Sequence, residues 1–367
     1  MRRQKLFLVY FNISLVCVLL VGMELLGQVA FLLRYGHPLF VQPDTTTGIP
    51  FEPHPYLVGR LKGSIRIDNA DKTMAVTSTP IHTRYTGAPA DDHNAIRIAV
   101  LGGSTTFGTR VTDEDSWPAL LQSALGKGYS VINYGVPGYS TAEAIIQMAL
   151  IVPEKVPHVV VFYEGWNDIR NYHDPEIGSD YFSHGMHQYG NLRIQARFGQ
   201  NREPLISRLA QISAIVRFAS HVATLLPQRS PQTTEPVYAT PDTFVDRIYL
   251  RNLKTLKSMA QALNAKVIFI PQVLNFKAFE GKKGSRGWTP RIEDDAMPAL
   301  LDRFNDFMNG LCAPREANCV VLRDVRREDW QSADFIGDGH FSRSGGEKFS
   351  RILATSIRRL MKVETTH

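Results

Sequence analysis

Ile98-Ala99-Val100-Leu101-Gly102-Gly103-Ser104-Thr105-Thr106-Phe107-Gly108 is the stretch on which the fold turns. An aliphatic run stops at two glycines, and a hydroxyl follows beside small polar residues. The run predicts a parallel strand buried on both faces, and the glycines predict a tight turn after it. Ser104 then stands at the carboxyl end of a strand, the edge where open α/β sheets place their ligands. Taken alone, Gly-Gly-Ser-Thr also fits an ordinary turn.

The same pattern recurs downstream. Strand-like runs are expected at Ile96–Leu101, Tyr129–Asn133, His158–Tyr163, Lys266–Ile270 and Cys319–Leu322. Helical patterns lie between them: Trp117–Leu125, a helix opening at Ser140, Thr243–Leu263, Pro298–Met308 and a last helix from about Ser344. Ser140 and Ser344 are each followed three residues later by a glutamate, the signature of a capping box. Strands alternating with helices predict an α/β fold, a mostly parallel sheet of about five strands with helices on both faces. Residues 169–240 interrupt the alternation with roughly seventy residues rich in Tyr, His and Gly, an insertion long enough to form a lid. Residues 34–94, rich in Pro, Gly, Thr and Asp, read as a connecting region, partly strand, ahead of the main domain over 95–364.

The chain has 367 residues, 44% hydrophobic and 21% charged, a globular composition with length for one large or two small domains. Its net charge of +6 is scattered, without a basic tract or nucleic-acid motif, so no nucleic-acid partner is expected. The front end is more decisive. Arg2, Arg3 and Lys5 precede a run from Leu6 to Met23 without charge, and apolar residues resume after Glu24 through Leu33. Residues 1–33 therefore read as a single membrane anchor, with a cleaved signal peptide as the alternative. The basic residues before the span predict a cytoplasmic N-terminus and an extracytoplasmic, periplasmic remainder. Leu205 to Leu226 is apolar but broken by Arg208, Arg217 and His221, which suits an amphipathic surface or lid helix better than a second span.

Of three cysteines, Cys17 lies in the anchor. Cys312 and Cys319 are close enough to close a disulfide loop in an oxidising compartment, or to stay as thiols. No Cys/His cluster has metal-ligand spacing, so neither metal nor cofactor is expected.

Four loops follow strands and so emerge on one sheet edge. They carry Ser104; Gly138 in Pro137-Gly138-Tyr139-Ser140; Asn167 in Gly165-Trp166-Asn167-Asp168; and His340 in Gly337-Asp338-Gly339-His340. A serine hydroxyl becomes a nucleophile when an imidazole takes its proton, and a carboxylate beside the imidazole fixes its tautomer. A glycine N–H in a tight turn and an asparagine amide suit the oxyanion. Each residue also has a structural reading, as turn, helix cap or packing group. The conjunction, in this order, favours chemistry.

Together the four blocks resemble the SGNH hydrolases, the GDSL-like esterase superfamily, over roughly residues 96–361. Gly102-Gly103-Ser104-Thr105 matches the Gly-Asp-Ser block, Gly138 the second, and Gly165-Trp166-Asn167-Asp168 the Gly-x-Asn-Asp block. The resemblance implies a flavodoxin-like three-layer α/β/α sandwich. It further implies Ser104 as nucleophile, His340 as base, and an oxyanion hole of the Ser104 N–H, Gly138 N–H and Asn167. Two positions depart from the pattern. Gly103 replaces the usual aspartate, and the family's Asp-x-x-His finds Gly337 three residues before His340, with Asp338 two before. Asp338 is therefore the candidate acid, with Asp334 or no carboxylate as alternatives. The implied activity is a serine ester hydrolase acting on O-acyl groups of envelope glycans or lipids. An O-acetyltransferase or transacylase on an envelope polysaccharide is the second reading, and a degenerate carbohydrate-binding or assembly protein the third.

Overall fold

A computed structural model describes residues 2–36, 39, 50–52, 54–57, 59–68, 75–88, 94–181, 209–210, 212–225, 236–314, 316–325 and 329–362. The chain divides into two compact units, Met1–Ile49 with Gln195–Thr234, and Pro50–Ile194 with Glu235–His367. Much of the expected insertion (182–208, 211, 226–235) lies outside the described residues, as do 40–49, 69–74 and 89–93 of the expected connecting region.

The helices, in chain order, are α1 (Arg2–Tyr35), α2 (Ser104–Phe107), α3 (Trp117–Leu125), α4 (Thr141–Leu150), α5 (Trp166–Ile169), α6 (Ala214–Leu225), α7 (Thr243–Ala262), α8 (Met297–Asn309) and α9 (Arg343–Lys362). The first unit contains α1 and α6. One helix among the described residues, α1, is long and apolar enough to cross a membrane, and its apolar side chains are exposed along its length.

The second unit is built on a five-stranded parallel sheet. Its strands are β5 (Ile96–Gly102), β6 (Tyr129–Asn133), β7 (Val159–Tyr163), β8 (Lys266–Phe269) and β9 (Cys319–Val321), in the order β6-β5-β7-β8-β9. Ahead of it lie two short antiparallel pairs, β1 (Phe51–Glu52) with β2 (Arg60–Leu61) and β3 (Arg66–Asp68) with β4 (Ala75–Thr77). Behind it, β10 (Phe335–Ile336) and β11 (His340–Phe341) form a hairpin. The period-2 side-chain alternation of the strands generates two cores. Ala99, Leu101, Val160, Phe162, Val267 and Phe269 face a core shared with α4, α7 and α8. Ile98, Val100, Val159, Val161 and Ile268 face the other, where Trp117 of α3 and Phe349 of α9 pack edge to face at 5.0 Å. This is the expected three-layer arrangement. Every residue of β7 is buried, which is why its five residues read as an unbroken apolar run.

Of the two expected capping boxes, the one at Ser140 is present, whereas Ser344 lies inside α9 and the Ser342 hydroxyl accepts from the Gly345 N–H instead. Ser140 accepts from the Ala142 N–H, while Glu143 accepts from the Ser140 N–H at 2.8 Å, completing the capping box of α4. Cys312 and Cys319 are disulfide-bonded, closing the short loop between α8 and β9.

The strand order has a reversal between β5 and β7, since the chain moves from β5 out to β6 and then back across to β7. A crevice opens at such a point, above the carboxyl ends of the strands. The loops after β5 and β7 flank it.

Candidate active site

Ser104 is the first residue of α2, immediately after the turn that ends β5. As the first helical residue, its N–H has no earlier helical carbonyl to bond. The turn has a tight neighbour: a Cβ on Gly103 would collide with the Asn167 amide and press on the Tyr139 carbonyl oxygen. The aspartate expected at this position from the family pattern therefore has no room here.

Arg84 braces the far end of α2. Its guanidinium is fully buried and donates to the carbonyls of Phe107 (2.8 Å), Gly108 (2.6 Å) and Val111 (2.7 Å), and to Asp113 Oδ1 (3.0 Å). It also lies 4.8 Å from the Phe107 ring centroid. The segment before β5 thus clamps the helix that begins with Ser104. Nothing in local periodicity signals this arginine, because its partners are backbone carbonyls distant in sequence.

His340 opens β11. Its Nε2 stands 2.9 Å from Ser104 Oγ, across a sequence separation of 236. The pairing of Ile336 with His340 leaves Gly337, Asp338 and Gly339 as a three-residue hairpin loop. Gly337 has φ +81°, a left-handed conformation that an aspartate adopts only with strain. The hairpin geometry accounts for the departure from Asp-x-x-His.

Asp338 sits in that loop with its carboxylate on Arg286, Oδ2 to Nη1 at 2.6 Å. Asp334 accepts from the Gln331 N–H at 3.0 Å and lies 3.4 Å from Lys348 Nζ. Among the described residues no carboxylate hydrogen-bonds the His340 ring, so neither candidate acid occupies the orienting position of a triad. Asp338 acts on the imidazole through charge alone. Burial, then the nearby Arg110 guanidinium, pushes His340 down to about 4, against the opposing pull of Asp338. The ring is neutral at neutral pH, the form that accepts a proton.

Gly138 adopts φ +85° in the turn closed by the Tyr139 N–H to the Val136 carbonyl at 3.1 Å. Asn167 is buried behind that turn, its Nδ2 donating to the Tyr139 carbonyl at 2.6 Å. Asp168 ties the same two loops together. It accepts from the Thr141 hydroxyl and N–H, and the Thr141 hydroxyl accepts from Asn252 Nδ2 at 2.9 Å. Burial pushes Asp168 up to about 7 despite those bonds. Burial also raises Glu164, helped by the negative charges of Asp168 and Glu143.

A cavity of about 520 Å³ opens between these loops, lined by Ser104, Gly138, Trp166, Leu274, Trp288 and His340 among others. The volume lies in the range of small-ligand sites. Ser104, Gly138, Asp338 and His340 reach the cavity wall, whereas Asn167 does not. Arg110 and Trp288 line the cavity, Arg286 holds its Asp338 from behind, and all three escape a reading of motifs. Arg286 pairs with Asp294 (2.7 Å) as well as Asp338 and stacks at 3.8 Å from the Phe279 centroid. Trp166 packs edge to face on Phe279 at 6.0 Å and also lines the cavity.

Comparison with known proteins follows the same outline. An arylesterase of Vibrio mimicus is 32% identical over 75 residues, which is 20% of this chain and 38% of that protein's length. Solved structures with similarity include a catalytic mutant of Axe2, an acetylxylan esterase from Geobacillus stearothermophilus (14% identity, TM-score 0.40, covering 72% of this chain and 93% of that one). A GDSL-like lipase from Bacteroides thetaiotaomicron is also similar (13% identity, TM-score 0.38, covering 76% and 93%). The sequence profile of the GDSL-like Lipase/Acylhydrolase family matches residues 100–348, from within β5 to the start of α9. With more than half its length inside that match, and with a serine and a histidine facing each other in its crevice, the chain belongs to the GDSL-like lipase/acylhydrolase family of enzymes.

Proposed function

We propose that the chain is a membrane-anchored serine ester hydrolase whose reaction runs on a Ser104–His340 dyad. The observation that carries this reading is the 2.9 Å approach of His340 Nε2 to Ser104 Oγ. His340 takes the Ser104 proton as Oγ bonds to the ester carbonyl carbon, and the carbonyl electron pair moves onto oxygen. The N–H groups of Ser104 and Gly138 are the donors for that oxyanion, and Asn167, behind the cavity wall, holds their turn through the Tyr139 carbonyl. Collapse breaks the ester C–O bond, and His340 returns the proton to the departing alcohol. Water then repeats the sequence, giving His340 its proton as hydroxide adds, and release of Ser104 regenerates the hydroxyl. Loss of one oxyanion donor typically costs about 3 kcal/mol of transition-state stabilisation. Asp338 contributes charge beside the imidazole rather than a tautomer-fixing hydrogen bond.

The length and apolarity of α1 support a place at a membrane, and the basic residues before it favour an extracytoplasmic catalytic unit. A disulfide at Cys312–Cys319 fits an oxidising compartment. There, O-acyl groups on envelope glycans or lipids are the accessible esters, and Trp166 and Trp288 suit the apolar faces of a sugar ring or an acyl chain. The test is release of acetate from an O-acetylated glycan, and of p-nitrophenol from p-nitrophenyl acetate, by the full chain in detergent. The expected result is turnover abolished by Ser104→Ala. Turnover surviving that substitution sinks the dyad, and acetate appearing only when an acceptor sugar is supplied favours the transacylase instead.

A further inference from the structure

α1 carries one acidic side chain between Lys5 and Arg34, namely Glu24. Gly27, Gln28 and Phe31 lie on the same helix face, spaced three, four and seven residues on. That stripe receives the start of α6. Glu24 accepts from Ser213 Oγ at 2.8 Å and from the N–H groups of Ala214 at 2.8 Å and Ile215 at 3.2 Å. Gln28 donates to the Ile212 carbonyl at 2.9 Å. A Cβ on Gly27 would collide with that of Ala214, so glycine is what permits the approach. The Arg217 guanidinium lies 4.9 Å from the centroid of Phe31. Successive positions of one stripe thus meet successive positions of a segment almost two hundred residues away, which is a built joint.

The position of this joint along α1 gives its setting. From Leu6 to Leu33 the helix is roughly 42 Å long at 1.5 Å per residue, against a hydrocarbon core of about 30 Å. Glu24 stands roughly 27 Å from Leu6 on the same rise, at the outer boundary of the core. An acidic side chain there is costly without a partner, and the unbonded N–H groups at the start of α6 supply one. The other side of α6 is apolar and open: Phe218 is 69% exposed, and Val222, one turn on, and Ile212 are exposed with it. Beside it on α1, Leu25, Leu26 and Val29 are exposed as well. The apolar side chains of α1 are exposed along its length too, and α6 is docked on that helix, which is the reason for assigning its open face to lipid.

We propose that α1 is retained in the mature protein and that α6 is an interfacial membrane helix docked on its outer end. The partner of the Phe218–Val222 face is the lipid surface of the outer leaflet. A cleaved leader has no use for a stripe that caps a distant helix. The inference rests on the reading of α1 as a membrane span.

The experiment uses the full chain reconstituted in phosphatidylcholine–phosphatidylglycerol vesicles, with Phe218→Cys in a Cys17→Ser background labelled by an environment-sensitive NBD fluorophore. Residues 312 and 319 are disulfide-bonded and remain unlabelled. The expected result is blue-shifted emission, quenched by lipids carrying a nitroxide near the headgroup and several-fold protected from iodide. Gly27→Leu should release the label to iodide while the chain still pellets with the vesicles. Iodide access in the Gly27 protein, or protection from both quenchers, overturns the interfacial assignment. Lipid quenching that persists in Gly27→Leu overturns docking on α1. A chain that does not pellet with membranes, or whose intact mass lacks residues 1–34, fails the anchor reading and takes this inference with it.

Discussion

Burial and Arg110 hold the His340 imidazole at about 4, well under its ordinary value, with Asp338 pulling the other way. A base must be unprotonated, so the acid limb of kcat/KM should fall near pH 4 rather than near the usual histidine value. Arg110→Gln removes a repelling cation and should move that limb up in pH; Asp338→Asn removes an attracting anion and should move it down. The same depressed value makes the folded state lose stability as pH falls from the unfolded histidine value towards 4. A pH–rate profile of the three proteins checks the signs, and a limb at the ordinary histidine value in all of them contradicts the account. Asp338→Asn should also keep kcat within about tenfold, where loss of a true triad acid typically costs about 10⁴.

Gly103 gives a second test at this scale. Restoring the family's aspartate by Gly103→Asp places a Cβ against the Asn167 amide. It should lower kcat/KM by tenfold or more and lower stability by about 1–3 kcal/mol, the usual cost of overpacking. Kinetics and thermal unfolding measure both, and an unharmed or improved enzyme refutes the crowding argument. The positions of Ser104, Gly138 and Asn167 just beyond apolar strands were legible, and the structure brings Ser104, Gly138 and His340 to one cavity wall but leaves Asn167 behind it. The company Asp338 keeps was not legible, since it depends on a left-handed glycine at 337 and on Arg286, which carries no motif.

Among elements, the parallel strands were readable because burial on both faces leaves an unmistakable aliphatic run, as Val159–Tyr163 shows. The helices were readable from caps and stripes, with Trp117–Leu125 reproduced to the residue and Met297–Asn309 extending one position beyond expectation at each end. Residues 50–88 were harder. Their strands have two or three residues each, too short for any period, and they hold the site through Arg84 instead. Arg84→Met removes the buried donor of Asp113 and of four carbonyls, those of Ala75, Phe107, Gly108 and Val111. It should cost about 3–5 kcal/mol, the range for breaking a buried ion pair, read from denaturant unfolding at neutral pH. Because the lost bonds end at Phe107 and Gly108, the variant's kcat should fall too. A stability loss under about 1 kcal/mol would show that this segment is not the brace described.

At the scale of the whole molecule, a strand order that reverses between β5 and β7 opens one crevice, and the chain returns to it with the β10–β11 hairpin after the sheet is complete. The alternation of strands and helices made that topology legible from sequence. The association of α6 with α1 was not, because a polar stripe on an apolar helix names no partner until both are placed. The central claim is that Ser104 and His340 form one reactive pair. Its most direct test is mass-spectrometric mapping of the adduct formed by a fluorophosphonate on the full chain. The account predicts a single adduct on Ser104, with labelling abolished in Ser104→Ala and slowed at least a hundredfold in His340→Ala, within the range expected for removing a general base. An adduct on another residue, or undiminished labelling of Ser104 without the imidazole, would contradict it.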